Sequence, residues 1–384
     1  MPQMQMDWGE LVDEEGFVKS FGWGEHEGIA EFFADYGFVV VRDVLSLSEV
    51  GRSVEGVWDQ VESTSRQYQD KPSWSWWERC LQSVGLRRSV DRGNPSTWEG
   101  PYWPFSHRGI APDIAVGRQL FQNRQSPKVY GAFCDAIGED RLLVSLDRVG
   151  VIAPQSPQQK EPPAWLHWDI NPWFATGASV PFYVRQETLL ERRKLVLERW
   201  ERENSSHKIL LTENNETCSL LPPPVQGLIA LADARASGGG FMCIPRFHKL
   251  IDKWARQTPQ TSDFSHVKVP FGDEQFSQER ALKVSMRQGS LLIWSSALPH
   301  CNYAGESLRM CQYLKMIPAS IYDTPSNASP ELSLVCSRIR AARTSQVRRL
   351  FPVDFKPSVL GAHLFGTQID QSSQSMPRTC AADC

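Results

Sequence analysis

Residues 225–244 read VQGLIALADARASGGGFMCI, in which two apolar runs are joined by a polar turn that ends in three glycines. Short apolar runs between turn residues are typical of buried β-strands. We predict further strands on both sides of this stretch, at 38–41, 142–152, 165–170, 180–184, 267–270, 281–286, 290–294 and 309–317. Short strands with helices mainly at the ends favour a mostly β fold, a sandwich or barrel wrapped by helices.

Amphipathic segments predict helices around this β region. Ile29, Phe32 and Phe33 mark a short helix that ends at Gly37, because glycine readily adopts the left-handed conformation that terminates helices. Apolar faces predict two further helices, near 48–63 and 128–137. A charged amphipathic helix at 186–204 interrupts the strands, and we predict that it is an insertion into the domain.

Three segments fall outside this pattern. Residues 1–25 show little periodicity and are predicted to form a loose N-terminal arm, whereas the polar tail at 366–384 is predicted to be disordered. A single domain then spans residues 26–365. Within it, the loop at 68–110 is rich in tryptophan, proline, glycine and arginine. Long aromatic loops either close over a site or pack against the core, and the sequence leaves both roles open.

The composition restricts the class of protein. Hydrophobic residues make up 41% and charged residues 22% of the chain, as in ordinary globular domains. The net charge of −3 provides no general basic field for nucleic acid or an anionic membrane, and no apolar run has membrane-spanning length. The nine cysteines form no C-x-x-C pair, and the acidic N-terminus lacks the order of a secretory signal. We therefore expect reduced thiols and a cytoplasmic location. None of these features indicates an oligomeric state.

The triplet His167-Trp168-Asp169 lies within the predicted strand at 165–170. Side chains two residues apart in a strand point to the same face, so His167 and Asp169 are able to bind one metal ion together. We predict His300 as the third ligand, at the end of the apolar strand and turn that read LLIWSSALPH. Two imidazoles and one carboxylate on one face of an octahedral ion are the arrangement of non-haem iron(II) oxygenases.

Arg309 follows His300 by nine positions and is predicted to share one strand face with Cys311 and Tyr313. A dicarboxylate co-substrate that chelates iron through its 2-oxo acid end needs a cation for its far carboxylate. A guanidinium offers two parallel donors for this purpose. Taken without His300, Arg309 would be interpreted as a surface residue in a salt bridge.

Other residues compete with these assignments. An H-x-D triplet is common by chance, so the prediction depends on its strand context and on the downstream residues. His248 also follows a strand, but the cation downstream of His300 favours His300 as the third ligand and leaves His248 a structural role. His107 in the aromatic loop is a candidate for substrate contact, although a lone histidine is more often a satisfied polar group. The arginines at 338–349 and the cations at 186–204 are predicted to lie on solvated helix faces.

Several stretches of the chain resemble the phytanoyl-CoA dioxygenase-like family of iron(II)/2-oxoglutarate oxygenases. They are FADYGFVVVRDVL at 33–45, the HWD triplet, GLIALAD at 227–233, GGGFMCIPRFHK at 238–249 and the His300…Arg309 pair. The resemblance covers most of residues 26–366. Arg246 departs from it, because the family has glycine at this position of a Pro-Gly-Ser-His-like turn.

The resemblance implies a double-stranded β-helix core, with His167, Asp169 and His300 as iron(II) ligands and Arg309 as the 2-oxoglutarate anchor. It also implies consumption of O2, release of succinate and carbon dioxide, a supporting role for ascorbate, and hydroxylation of a small or medium-sized metabolite. Family members that halogenate have a small residue in place of the carboxylate, so Asp169 favours oxygenation. Two alternatives stay open: a cupin-like metalloenzyme that does not use 2-oxoglutarate, and a non-catalytic scaffold.

Overall fold

The computed structural model describes residues 8–69, 89–98, 103–105, 109–110, 117–155, 165–175, 225–261, 267–270, 273–276, 280–319, 323–324, 326 and 328–367. The predicted strand at 180–184, the predicted insertion at 186–204, His107 and the tail from residue 368 lie outside these ranges.

Helices flank the strands, and three of them match the helices predicted before Gly37, near 48–63 and at 128–137. The helices are α1 (His26–Tyr36), α2 (Leu47–Gln69), α3 (Arg118–Arg124), α4 (Pro127–Ile137), α5 (Pro172–Ala175), α6 (Ile251–Gln257), α7 (Pro330–Leu350) and α8 (Val359–Leu364). Gly37 ends α1 in the left-handed conformation, with φ of 78°, and its N–H donates to Phe33 O. None of the helices in the described ranges is long and apolar enough to cross a membrane.

Thirteen strands are found in the described ranges, and their pairing is mainly antiparallel. Together with the helices they form a mixed helix and sheet architecture, so the prediction of a mostly β fold with flanking helices is confirmed only in part. The strands are β1 (Ser20–Gly22), β2 (Phe38–Arg42), β3 (Leu142–Val144), β4 (Val149–Ile152), β5 (His167–Trp168), β6 (Val225–Ala230), β7 (Gly239–Cys243), β8 (Val267–Lys268), β9 (Leu282–Val284), β10 (Leu291–Ser295), β11 (His300–Ala304), β12 (Arg309–Leu314) and β13 (Met316–Pro318).

The strands form a large and a small sheet that face each other. The large sheet has the order β1-β2-β10-β6-β12-β4, the small sheet has the order β8-β5-β11-β7-β9, and β13 pairs separately with β3. Side chains join the two sheets: the rings of Phe241 and Trp294 lie 4.6 Å apart, and the Tyr313 hydroxyl donates to Asn302 Oδ1 at 3.0 Å. Every residue of β6 and β10 is buried, so these two strands form the centre of the core.

Helix α4 covers the other face of the large sheet. Gly227 on β6 allows this close approach, because a Cβ there would lie 2.7 Å from the Phe133 ring of α4. Adjacent residues of a strand point to opposite faces, so Gln226 and Leu228 point toward the small sheet. The inner face of β6 therefore faces the space between the sheets.

The prediction of a loose arm at 1–25 is wrong for the described residues 8–25. Strand β1 pairs with β2 in parallel, and Phe17, Val18 and Phe21 are buried. Arg287 forms ion pairs with Asp13 and Glu15. The apolar residues of this segment are too few to produce a periodic pattern, yet tertiary contacts order it.

Two predicted strands are each divided into two. The predicted run at 142–152 forms β3 and β4, and the run at 309–317 forms β12 and β13. The division occurs where Lys315 and Ser145 meet, since Ser145 N donates to Lys315 O and Lys315 N donates to Ser145 Oγ. A change of pairing partner leaves the hydrophobic pattern unchanged, so the sequence could not reveal it.

The described part of the predicted aromatic loop at 68–110 packs against the core. Helix α2 extends into this loop to Gln69, and the rings of Trp98 and Trp103 contact Trp58 of α2 at centroid distances of 4.9 and 6.5 Å. Arg92 forms ion pairs with acidic side chains of α2, namely Glu55, Asp59 and Glu62. These contacts favour a packing role for both tryptophans.

One of the arginines predicted to be solvated at 338–349 is buried. Arg343 of α7 donates to Phe365 O at 2.7 Å and to Val144 O at 2.8 Å. The prediction is wrong at this position because two carbonyl groups near the ends of α8 and β3 accept the guanidinium, and the helical pattern does not reveal these partners.

Candidate metal centre

A cavity of about 400 Å³ lies between the two sheets. His167, Asp169 and His300 line it from the small sheet, together with Trp165, Phe241 and Asn302. The large sheet contributes Gln226, Trp294 and Tyr313, and Lys315 lines the cavity just beyond β12. The predicted metal ligands therefore face a space that is large enough for small molecules.

The three predicted ligands converge at one end of adjacent strands. His300 is the first residue of β11 and pairs directly with His167 of β5. One ligand atom of each of His167, Asp169 and His300 lies within 4.8 Å of the other two. Asp169 Oδ1 is 3.6 Å from His167 Nε2, and Asp169 Oδ2 is 3.6 Å from His300 Nε2. The carboxylate thus faces both imidazoles.

Backbone carbonyls orient both imidazole rings. His167 Nδ1 lies 3.3 Å from Trp165 O, and His300 Nδ1 lies 2.9 Å from Leu298 O. With the proton on Nδ1, each ring donates to its carbonyl and turns the lone pair of Nε2 toward Asp169. Metal-binding histidines commonly have such a partner for their other ring nitrogen.

Aromatic side chains fix the two rings further. The Trp165 indole stacks on the His167 ring at 4.5 Å with an interplanar angle of 5°. Phe241 and Trp294 lie 5.5 and 5.4 Å from the His300 ring. Only 6% of His167 and 5% of His300 is exposed. Two imidazole nitrogens and a carboxylate held in this way are a donor set that fits a divalent transition metal.

Arg309 is a buried cation near this cluster. Its Nη2 donates to Tyr313 Oη at 3.1 Å, as expected for residues on one strand face, and the Tyr313 hydroxyl donates onward to Asn302. Its Nη1 is buried without a hydrogen-bond partner, and no carboxylate of the described residues forms an ion pair with it. Burial raises the pKa of Tyr313 and of Cys311, so both are neutral at physiological pH. The guanidinium therefore fits an anion.

His248 is not part of this cluster. Its Nε2 lies 3.1 Å from Ala34 O in α1, and burial lowers its pKa. Arg246, which stands where the family has glycine, adopts the left-handed conformation with φ of 66°. An ion pair with Asp35 and stacking on Tyr36 hold it there. These contacts offset the strain of the left-handed conformation at a residue other than glycine.

The sequence did not single out several residues that line the cavity. Asn302 lies two positions after His300 on β11, and Lys315 lies two positions after Tyr313. Strand periodicity was a signal for both, because such pairs share one face. Trp165 had the same signal, because it lies two positions before His167 in the predicted strand at 165–170, whereas Gln226 is not close in sequence to any predicted ligand.

A search of protein-family models finds no match to this chain. A curated protein of Dictyostelium discoideum named "Putative phytanoyl-CoA dioxygenase" is 26% identical over 337 residues, which cover 80% of this chain and 85% of that protein. The "Ava biosynthesis cluster protein O" of Aspergillus versicolor is 23% identical over 243 residues, 59% of this chain and 64% of that protein.

The solved structures to which this chain is similar include GlcNAc Inducible Gene 2 of Candida albicans, with a TM-score of 0.46 and 14% identity over 95% of this chain and 84% of that one. Another is the epimerase SnoN in complex with Fe3+, alpha ketoglutarate and nogalamycin RO, with a TM-score of 0.41 and 14% identity over 80% of this chain and 92% of that one. The predicted resemblance to the phytanoyl-CoA dioxygenase-like family is confirmed by the Dictyostelium relative, which carries this name.

Proposed function

We propose that this chain is an iron(II)- and 2-oxoglutarate-dependent dioxygenase that hydroxylates a small or medium-sized organic metabolite and releases succinate and carbon dioxide. The observation that carries the proposal is the convergence of His167, Asp169 and His300 on a cavity between two sheets. The buried cation of Arg309 and the name of the Dictyostelium relative support it. The two facing antiparallel sheets then correspond to a double-stranded β-helix.

His167, Asp169 and His300 would hold the iron, and Asp169 Oδ1 and Oδ2 each face one imidazole. When bound, iron would couple the oxidative decarboxylation of 2-oxoglutarate by O2 to the oxidation of a substrate C–H bond. The carbonyls of Trp165 and Leu298 keep the rings in position before the metal arrives. This preorganisation would reduce the entropy lost when the metal binds.

Arg309 would bind the carboxylate of 2-oxoglutarate that is remote from the metal. Its Nη1 lacks a partner among the described residues, and its Nη2 contacts the Tyr313 hydroxyl. A carboxylate placed there would satisfy the free donor and neutralise the buried charge, which gives a charge-assisted hydrogen bond at low dielectric.

The walls of the cavity would exclude water from the reaction. Phe241, Trp294 and Trp165 surround the imidazoles with apolar rings. A dry site strengthens the electrostatic contacts of Asp169 and Arg309, and it prevents side reactions of the oxidant.

The test is an anaerobic titration of the purified protein with iron(II) and then with 2-oxoglutarate. We expect a weak visible charge-transfer band that requires both additions, and under air we expect succinate only when 2-oxoglutarate is present. Tight metal binding without the band or succinate would instead support a cupin-like metalloenzyme. A protein that binds no iron at all would support a scaffold, and either result would reject the proposed function.

A further inference from the structure

Three polar side chains form a row across the inner face of the large sheet. Gln226 of β6 pairs directly with Trp294 of β10, and the pairing of Leu314 with Gly227 places Lys315 next to Gln226 on the other side. All three side chains line the cavity that holds the predicted metal ligands. We name this set, Lys315, Gln226 and Trp294, the Lys315 row.

Each member of the Lys315 row lacks a partner for its side-chain donor. Gln226 Nε2 and Trp294 Nε1 are buried without an acceptor. Lys315 is only 8% exposed, and within the described ranges its ammonium forms no ion pair and no hydrogen bond. Buried donors without acceptors are costly, and a buried charge without a counter-ion is more so. The row thus fits a ligand that supplies acceptors and negative charge.

The other charges of the cavity do not account for Lys315. Arg148 Nε lies 3.3 Å from Asp147 Oδ1, so these two residues neutralise each other. In the proposed complex, the charges of iron(II) and Arg309 balance those of Asp169 and the two carboxylates of 2-oxoglutarate. The positive charge of Lys315 is not balanced by any of these groups, so it favours the binding of one more anion in the cavity.

The Lys315 row is also separate from the Arg309 site. Arg309, Cys311, Tyr313 and Lys315 share one face of β12 and its continuation. At a rise of about 3.3 Å per residue, the Cα atoms of Arg309 and Lys315 are roughly 20 Å apart. The side chain of Arg309 ends at the Tyr313 hydroxyl, between the two positions. The two cations therefore lie at two levels, Lys315 in the wall of the cavity and Arg309 beyond Tyr313.

We propose that the Lys315 row binds a carboxylate of the substrate, so that the molecule oxidised at the metal is an organic acid. The identification of this ligand as the substrate rests on the proposed function. Lys315 supplies the charge, and the Gln226 amide and Trp294 Nε1 supply hydrogen-bond donors to the carboxylate. Because Trp294 also contacts His300, the acid would extend toward the metal ligands.

The test measures the preference of the protein for benzoate over benzamide, its neutral analogue, by calorimetric titration of the metal-free protein. We expect benzoate to bind about tenfold more tightly in the wild type, and Lys315→Met to abolish this preference. Arg309→Met removes the buried cation beyond Tyr313 and should keep the preference, because Arg309 lies at a different level from the Lys315 row. Lys253→Met, at an exposed position of α6, is the matched lysine control.

Equal binding of benzoate and benzamide, or an unchanged preference in Lys315→Met, would overturn the proposal. Lys315→Gln serves as a second variant if Lys315→Met does not fold. A further titration with 2-oxoglutarate and manganese(II) separates the two carboxylate sources. If Lys315→Met weakens 2-oxoglutarate binding as much as Arg309→Met does, the row binds the co-substrate and not an acidic substrate. A missing iron band would reject only the proposed function, since the benzoate titration needs no metal.

Discussion

The two imidazoles of the candidate centre are oriented in the same way. In each, Nδ1 forms a hydrogen bond with the carbonyl group two residues earlier in the chain. Leu298 O holds His300, and Trp165 O holds His167. Each ring therefore reaches the cavity with Nε2 oriented and little freedom left. This arrangement makes the two histidines similar in their expected contribution to metal binding.

We predict that His167→Ala and His300→Ala each weaken iron(II) binding by more than about 100-fold, because two remaining ligands hold a labile ion poorly. Anaerobic titration with iron and 2-oxoglutarate measures the loss through the visible band. His248→Ala is the matched control and should keep the band, since His248 contacts Ala34 O and not the cluster. A variant of His300 that keeps the metal while His248→Ala loses it would contradict the ligand assignment.

Arg309→Ala should weaken 2-oxoglutarate binding far more than iron binding. A lost charge-assisted contact costs about 1.5–3 kcal/mol, which corresponds to a rise in Kd of roughly 10- to 150-fold. Arg309→Lys should recover only part of this, because an ammonium cannot offer two parallel donors. Calorimetry with manganese(II) in place of iron measures both constants. Equal 2-oxoglutarate affinity in Arg309→Ala and the wild type would exclude the anchor role.

His248 should make the stability of the protein depend on pH. Burial lowers its pKa below the ordinary value of about 6.5, so the unfolded chain binds a proton that the folded chain does not. Its contribution to stability is therefore present above pH 6.5 or so and is lost as the pH falls below it. Urea unfolding at pH 7.5 and 5.5 should show a smaller loss in His248→Gln than in the wild type. Equal losses in the two proteins would contradict this prediction.

At the level of elements, the strands were predictable wherever a strand is an uninterrupted apolar run. The runs at 225–231 and 290–294 correspond to β6 and β10, whose residues are all buried. The boundaries near Lys315 were not predictable, since they depend on backbone pairing with Ser145. The N-terminal segment was missed because β1 is ordered by pairing with β2, and Asp13 and Glu15 are held by Arg287, which lies far away in the sequence.

Much of the candidate site was predictable from strand periodicity, which places alternate residues on one face. His167 and Asp169 share a strand face, and so do Arg309 and Tyr313, and the structure places each pair in the cavity or next to it. His300 was expected at the end of a strand and its turn, whereas the structure makes it the first residue of β11. The Lys315 row was not predicted, because strand periodicity relates Lys315 to Tyr313 alone, and Gln226 and Trp294 join it only through the register of the sheet.

The contact of Trp98 and Trp103 with α2 leads to a prediction for the aromatic loop. We expect Trp103→Ala to lower the free energy of unfolding by about 1–3 kcal/mol, less than the roughly 3–5 kcal/mol of a fully buried tryptophan. Its ratio of succinate to oxidised product should stay at the wild-type value. A variant of unchanged stability that produces excess succinate would instead assign Trp103 to a lid over the cavity. Thermal unfolding and the product ratio together distinguish these outcomes.

On the scale of the whole molecule, a metal at the candidate centre would join two parts of the chain that are far apart in sequence. His167 and His300 come from these two parts and meet on adjacent strands of one sheet. A ligand that binds only the folded state stabilises it by mass action, by about 2.7 kcal/mol at a hundred times its Kd. We expect iron(II) or manganese(II) to raise Tm by about 5 °C and a chelator to reverse the rise. His300→Ala should show no such rise, and a rise of equal size in this variant would point to binding elsewhere.

Strand β1 has a consequence for the solubility of the protein. It lies at one edge of the large sheet and pairs with β2, whose residues Val39, Val40 and Val41 are buried. Edge strands with free backbone groups and apolar side chains promote pairing between molecules. The three residues of β1 pair with the backbone of β2 and so prevent another molecule from pairing with β2. A shortened chain that begins after residue 22 would therefore be expected to self-associate through β2, even though the candidate metal ligands near the opposite sheet are intact.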